Sequence, residues 1–472
     1  MGLNSGNTMT TKQKVGFCLA VSVLLLTLIT PIPDTLTAAG KNTVGLTLFF
    51  LILLISQALP LSLSSLLTVG LIPLFGVSEN FSGAVVGFSH PVIFFIIASF
   101  GIAGAIMSVP LTKRVLSLLL RTAKNRVENI LLVMMIATAT TSFFMSNVPA
   151  CAIMMAIALE FINSLEDGEE KKSIGRAFMI AVPVATMIGG MATPASSSLN
   201  LLAIGLLEQH TGQTISFVQW SAIGIPLVVI LIPFAWFLIV KVYKPAQIAP
   251  EKIMRYKEYT QIKERVGKKE FYVIFIMTAM LAFWIASSWV REIEIFTVAI
   301  LGCVLFFMPK INVLSWNKFL AGINWDIIFI SGTILSIANA FIENNVSAWL
   351  AEVLYPANLA LQANVLVGLA ATTTFAMLLM ISSAPALITV LAGPFVAIAL
   401  ANSVPPAYLL ITLAFCAGNC YLFPLDTVQL LTYSKGYYRM TDMCKSTIFL
   451  QIAIVIILAL WLPFMGGVLG VN

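Results

Sequence analysis

The sequence predicts an all-α integral membrane protein of about eleven transmembrane helices plus two re-entrant hairpins, built as two inverted-topology repeats. Three observations predict it. Of 472 residues, 59% are hydrophobic and 10% charged. A soluble domain carries roughly 25% charged residues, so this chain cannot cover a water-facing surface of its own size. Apolar runs of about 18 residues or more, the length that crosses a bilayer core as a helix, recur from end to end. The basic residues gather in the connections between those runs. A lipid-facing surface leaves them nowhere else, so the net charge of +6 needs no nucleic-acid partner.

The pattern places spans near 14–31, 43–58, 61–77, 91–110, 174–206, 217–241, 270–289, 294–309, 325–342, 404–433 and 446–465. The first resembles a signal peptide, with basic residues before an apolar run, but no small-residue cleavage site follows, so it reads as a span. Regions 128–163 and 359–401 are apolar but broken near the middle by polar, proline-bearing turns. These are Ser146-Asn147-Val148-Pro149-Ala150 and Ser382-Ser383-Ala384-Pro385-Ala386.

Charge decides how those two regions run, because Lys and Arg favour the cytoplasmic side. Lys12 and Lys14 put the N-terminus inside. Lys113, Arg114, Arg121, Lys124 and Arg126 precede the first broken region, and Lys171, Lys172 and Arg176 follow it. Both flanks are therefore cytoplasmic, and the region enters and leaves on one side. The connection from Lys241 to Lys269 is the richest in positive charge and is again inside. Asn344–Asn358 and Ala401–Pro406 hold no Lys or Arg, so the second hairpin enters from outside. Lys435, Arg439 and Lys445 return the chain inside, and the C-terminus ends outside.

The resulting division is an N-terminal region with the first span (1–42), a first repeat (43–243), a cytoplasmic linker (244–269) and a second repeat (270–472). The Ser-x-x-Pro-Ala turns echo one another within it. Inverted repeats with interrupted helices are the architecture of secondary transporters. After the third span of each repeat comes an amphipathic stretch, Leu111–Ala123 and Val346–Leu354, suited to a helix along the membrane surface or to an ordinary loop helix.

Broken helices are tolerated at membrane depth only where they are buried or line a cavity. Two breaks are the hairpin tips. The others are Gly189–Asn200, with Gly190, Thr193, Pro194 and three successive serines, and Gly418–Thr427, with Asn419, Pro424 and Asp426. Helix N-termini that start after such breaks offer N–H groups and partial positive charge to an anion, and the freed carbonyls and hydroxyls suit Na⁺. Asp426 is the one ionisable side chain read as deep in a span, where a lone carboxylate costs several kcal/mol unless paired or protonated. Three readings are open: it ligates Na⁺, it holds a coupling proton in its neutral form, or it is a neutral acid hydrogen-bonded to backbone.

On these motifs the chain resembles the divalent anion/sodium symporter family, whose members carry dicarboxylates, citrate or sulfate, and the resemblance spans nearly the whole length. That family has a Ser-Asn-Thr motif at each hairpin tip and a proline–asparagine motif in each broken span. Ser146-Asn147-Val148 matches the first tip without the threonine hydroxyl, and Ser382-Ser383-Ala384 matches the second at its first serine. Ser197-Ser198-Leu199-Asn200 keeps Asn200 of the first proline motif, and Pro424-Leu425-Asp426-Thr427 keeps Thr427 of the second.

The resemblance implies an elevator-type homodimer in a bacterial-type plasma membrane, taking a small anionic substrate with Na⁺, or H⁺ in its place, as coupling ion. Carried over by residue, one Na⁺ site uses Ser142, Ser146, Asn147 and the backbone near Ser196. A second uses Ser382 and Ser383; Asp426 departs from the family pattern, and on the Na⁺ reading it joins this second site in place of oxygens lost at Ser383. Asn147, Val148, Ser197, Ser198, Ser383, Ala384 and Thr427 face the substrate. A dicarboxylate such as succinate, malate or 2-oxoglutarate is the expected cargo, with a monovalent anion or sulfate on a proton-coupled or exchange-type permease as the alternative.

Other classes fit less well. A pump subunit needs a nucleotide partner, and the chain has no phosphate-binding glycine loop. A membrane enzyme needs clustered catalytic carboxylates, His or Cys, whereas the six cysteines sit apart in or beside apolar segments. An anion channel has no use for inverted repeats and passes an uncoupled flux that does not saturate.

Overall fold

The computed structural model describes residues 10–32, 36–260, 265–290, 292–346, 349, 361–380, 384–424 and 426–471, and its regular structure there is helical. Helices α1 (Thr11–Ile29), α2 (Ala38–Ser56), α3 (Leu61–Leu74), the single turn α4 (Phe81–Ala84), α5 (Pro91–Met107) and α6 (Leu111–Thr122) lead into a helical hairpin, α7 (Val127–Ser142) and α8 (Asn147–Asn163). The chain then breaks between α9 (Glu169–Gly189) and α10 (Ser198–Thr211), and α11 (Phe217–Tyr243) follows. The short α12 (Pro250–Thr260) leads to α13 (Lys268–Ala286), α14 (Ile295–Leu305), α15 (Trp316–Gly322) and α16 (Trp325–Glu343). A second helical pair, α17 (Ala363–Met380) and α18 (Ala384–Ala401), precedes a second break, between α19 (Pro406–Ala417) and α20 (Thr427–Tyr433). The chain closes with α21 (Met440–Leu469).

Seven of the described helices are long and apolar enough to cross a membrane singly: α2, α9, α11, α13, α16, α18 and α21. A bent pair, α5 with α6, makes an eighth candidate, its arms 60° apart. The hairpin arms α7, α8 and α17 and the half-helix α19 are among the shorter apolar helices. The expected stretch at 111–123 is therefore the amphipathic helix α6. Its expected counterpart, Val346–Leu354, lies outside the described residues except for Val346 and Trp349.

Packing pairs the two halves. In the first, α7 and α8 lie on α9, and α11 contacts α7 and α9. In the second, α17 and α18 lie on α19, and α21 contacts α17 and α19. The halves also exchange partners: α10 packs on α18 and α19, while α20 packs on α8 and α9. Further out, α3 packs on α16 and α14 on α5.

The helices that end at the two breaks, α9 and α19, form the centre. Every residue of α19 is buried, as is every residue from Ala177 to Gly189 on α9. By contrast α13 and α21 expose large apolar side chains such as Phe271, Phe275, Phe449 and Phe464, as a lipid-facing helix does.

Two connections are more ordered than their composition suggested. In the basic linker, α12 docks on the hairpin's far end: Ile253 is fully buried, the Tyr256 ring lies 4.5 Å from that of Phe161, and Lys257 Nζ donates to Asn125 Oδ1 at 2.8 Å. At the elbow after α5, Arg114 forms a two-pronged ion pair with the buried Glu270 of α13, Nε to Oε1 at 2.6 Å and Nη2 to Oε2 at 2.8 Å. Such fork-to-fork geometry is the strong form of a charge-assisted hydrogen bond, and it ties α6 to the first turn of α13.

Candidate functional site

At the first break α9 ends on Gly189 and the chain turns through Gly190. Asn147, the first residue of α8, lies directly over that turn. A Cβ on Gly190 would stand 2.5 Å from Asn147 Oδ1, so a side chain there would push the Asn147 amide off the turn. Ser142, the last residue of α7, places its hydroxyl 3.0 Å from Asn147 Oδ1 and 2.9 Å from Thr186 O. One hydroxyl proton serves one acceptor at a time, so this cluster is rich in acceptor oxygen. Thr193 Oγ1 donates to Phe143 O at 2.9 Å, tying the hairpin tip to the break.

The carbonyls freed at this break are met by side chains. Asn200 Nδ2 donates to Gly190 O at 2.8 Å and Thr193 O at 3.0 Å, and Ser196 Oγ donates to Gly190 O at 2.7 Å. Trp220 Nε1 reaches Met191 O at 3.2 Å. Ser197 Oγ accepts from Leu199 N at 3.3 Å and caps α10. Buried backbone groups need such partners, and without them the break would refold into helix or fill with water.

The second break is wired in the same manner by residues the pattern analysis passed over. Gln451 on α21 accepts from Tyr421 N at 3.0 Å and donates to Asn419 O at 3.2 Å, and Thr447 Oγ1 donates to Tyr421 O at 2.9 Å. Gln429 Nε2 donates to Cys420 O at 2.6 Å. Gln451 was detectable as a polar residue inside an apolar run. Gln429 was detectable too, since Asp426-Thr427-Val428-Gln429 has the spacing of a capping box. The structure forms that box: the Asp426 carboxylate accepts from Val428 N at 2.8 Å while Asp426 N donates to Gln429 Oε1 at 3.3 Å.

Among the described residues, no Lys or Arg forms an ion pair with Asp426. Its carboxylate edges a cavity of about 20 Å³ lined also by Met187, Leu378, Ala384, Ala417, Cys420, Phe423 and Gln429. One water needs roughly 10–15 Å³ by this measure, so the space suits one water or one small cation rather than an organic anion. The polar side chains that line it are the Asp426 carboxylate, the Gln429 amide and the Cys420 thiol, and of these the carboxylate and amide oxygens are the hard ligands that a hard cation takes.

The expected site residues therefore divide. Ser142 and Asn147 meet over Gly190, with the Ser196 turn behind them. Ala384 and Asp426 share the small cavity. Ser146 is half-buried at the first tip, and Ser198 is half-buried at the start of α10. Val148 and Thr427 are exposed in the first turns of α8 and α20. Cys151 Sγ on α8 lies 3.4 Å from Val428 O on α20, holding those two helices together. Ser382 and Ser383 lie outside the described residues.

The profile of the sodium:sulfate symporter transmembrane region family matches residues 11–471. A protein of Staphylococcus saprophyticus named sodium-dependent dicarboxylate transporter SdcS is 26% identical over 98% of this chain and 93% of its own length. A protein of the same name from Staphylococcus aureus is 25% identical over the same shares. Among solved structures, the Alcanivorax borkumensis YdaH transporter superposes with a TM-score of 0.60 at 12% identity, covering 98% of each chain, which bears on the fold alone. With the profile match running from the first helix to the last, this chain belongs to the sodium:sulfate symporter transmembrane region family, and it is a membrane transporter and not an enzyme.

Proposed function

We propose that the protein is a secondary active carrier of a small carboxylate, a dicarboxylate such as succinate, malate or 2-oxoglutarate, driven by Na⁺. The observation that carries this reading is the pairing of two hairpins with two interrupted spans, each half lending its second half-helix to the other. That exchange of partners is what a pseudo-two-fold repeat requires, and it supports repeats at 43–243 and 270–472 around the hairpins 128–163 and 359–401. The starts of α8 and α10 supply N–H groups for the anion. The Ser142–Asn147 cluster and the Asp426 cavity are the two cation positions, and Ser382 and Ser383 complete the second. The names of the staphylococcal relatives support Na⁺ and a dicarboxylate.

The hairpins and interrupted spans form the moving part of an elevator, and the carrier works as a homodimer in a bacterial-type plasma membrane with its N-terminus inside. Cysteine probes test that topology. Positions 126 and 166 are expected to label from the cytoplasm and position 403 from outside only. Labelling of 126 and 166 from opposite sides would make the first hairpin a full span and sink the repeat.

One observation favours a second reading. Asp426 is a carboxylate at the site, and the motif threonines are replaced by Val148 and Ala384, which suits proton-coupled or exchange transport of a monovalent anion or sulfate. Counterflow in proteoliposomes against succinate, malate, citrate, 2-oxoglutarate, sulfate and lactate, with and without Na⁺, separates the two. Saturable Na⁺-dependent counterflow of a dicarboxylate is the expected result. Na⁺-independent counterflow of lactate or sulfate alone selects the second reading, and a flux that does not saturate would mean a channel.

A further inference from the structure

The two breaks are closed by one device used twice. In each, the second half-helix starts on a cap whose side-chain oxygen accepts the N–H two residues on: Ser197 from Leu199 N at 3.3 Å, Asp426 from Val428 N at 2.8 Å. The third residue of each half-helix carries an amide, Asn200 on α10 and Gln429 on α20, and both are buried. Asn200 Nδ2 reaches back to Gly190 O and Thr193 O, and Gln429 Nε2 reaches back to Cys420 O at 2.6 Å. The cap beside the amide is a neutral hydroxyl at the first break and a carboxylate at the second.

Gln429 also holds the cap itself. Its Oε1 accepts from Asp426 N at 3.3 Å while its Nε2 donates to Cys420 O. One side chain therefore joins Cys420, near the start of the second break, to Asp426 at its end. A glutamate would complete the capping box equally well, but a carboxylate only accepts, whereas an amide accepts and donates at once. The chain thus carries at this place a residue that can meet both ends. Gln429 is fully buried, and Cys420, Asp426 and Gln429 line the same small cavity. Without the amide, Cys420 O loses a donor inside the protein, where an unmet carbonyl is costly, and the turn from 420 to 426 loses the bond that fixes its span.

We propose that Gln429 is a positioning residue of the carrier, a staple that holds the 420–426 turn closed and sets the Asp426 carboxylate at the edge of the cavity. Where Asp426 takes the coupling cation, Gln429 governs the affinity through it. That consequence rests on the function proposed above; the staple does not. Asp426 and Gln429 then act as one unit, and such pairs give losses that do not add. Once the carboxylate is gone, the staple has no charge left to position.

The test uses the full chain in vesicles and reads two quantities. The first is the rate at which N-ethylmaleimide alkylates Cys420, followed by peptide mapping, with the fully buried Cys416 of α19 as the comparison within the same molecule. Gln429→Met is expected to speed alkylation of Cys420 about 10-fold, the scale of one lost hydrogen bond, and to leave Cys416 slow. Gln429→Asn keeps a buried amide but is one methylene too short to hold both ends, and is expected to move Cys420 in the same direction. The second quantity is the Na⁺ concentration for half-maximal uptake. It is expected to rise about 10-fold in Gln429→Met, and to be the same in Asp426→Asn/Gln429→Met as in Asp426→Asn alone. Unchanged alkylation of Cys420 in Gln429→Met, equal acceleration of Cys416, or losses that multiply in the double variant would each overturn the proposal. Faster alkylation of Cys420 with the Na⁺ dependence unmoved in both single variants would support the staple and count against the proposed cation role of Asp426.

Discussion

Replacing Asn147 with alanine is expected to lower uptake roughly 100-fold or more, to the level of empty vesicles, the scale on which misplacing a binding group stops a catalytic cycle. Asn147 holds its position by three local facts: it begins α8, it covers Gly190, and its Oδ1 lies 3.0 Å from the Ser142 hydroxyl. Alanine removes the acceptor oxygen and the amide that face the first break. The fold is expected to survive, because Ser142 keeps Thr186 O as an acceptor at 2.9 Å and Asn200 and Ser196 still close the Gly190 turn. Monodisperse protein at wild-type yield, with uptake gone, is the predicted outcome. Wild-type uptake kinetics in Asn147→Ala would move the site away from this hairpin tip.

Asp426→Asn is expected to weaken the apparent affinity for Na⁺ about 10–100-fold, the loss of one charge-assisted interaction worth roughly 1.5–3 kcal/mol, with little change in the pH profile. Asparagine caps helices as well as aspartate does, so the bond from Val428 N survives and the variant tests charge rather than folding. The proton reading gives a different signature. A carboxyl that must be neutral to travel with its anion is loaded as pH falls, so a proton-coupled wild type runs faster towards acid external pH. The amide mimics the loaded state, flattens that profile and leaves exchange partly active. Unchanged Na⁺ and pH dependence would reduce Asp426 to the cap of α20.

The sequence alone carried the class of protein and the positions where helices break, after Ser142, Gly189 and Ala417, because each is written in local chemistry. Apolar length marks a span, proline with serine or glycine marks a break, and Lys and Arg mark the connections. Even the Asp426–Gln429 capping box was present as a four-residue spacing, although its effect on Asp426 was not drawn from it. The basic linker was legible only as charge: α12 is strongly polar, and its docking depends on Ile253 and Tyr256 meeting the end of α8.

Tertiary structure decided which of these helices are central. On apolarity alone α21 is the stronger core candidate, with a mean hydropathy of 2.6 against 1.2 for α9, yet 28% of its most apolar window is buried and 83% of that of α9. In a bilayer the most apolar surface can face lipid at no cost, whereas broken backbone and polar side chains must find protein partners. Burial therefore follows the breaks rather than the hydrophobicity. Which partners they find is likewise a matter of long-range packing: Ser142 and Thr186 are 44 residues apart, and Gln451 is 32 from Asn419. Sequence determined what had to be satisfied, and only the packing of α7, α9, α19 and α21 determined by what.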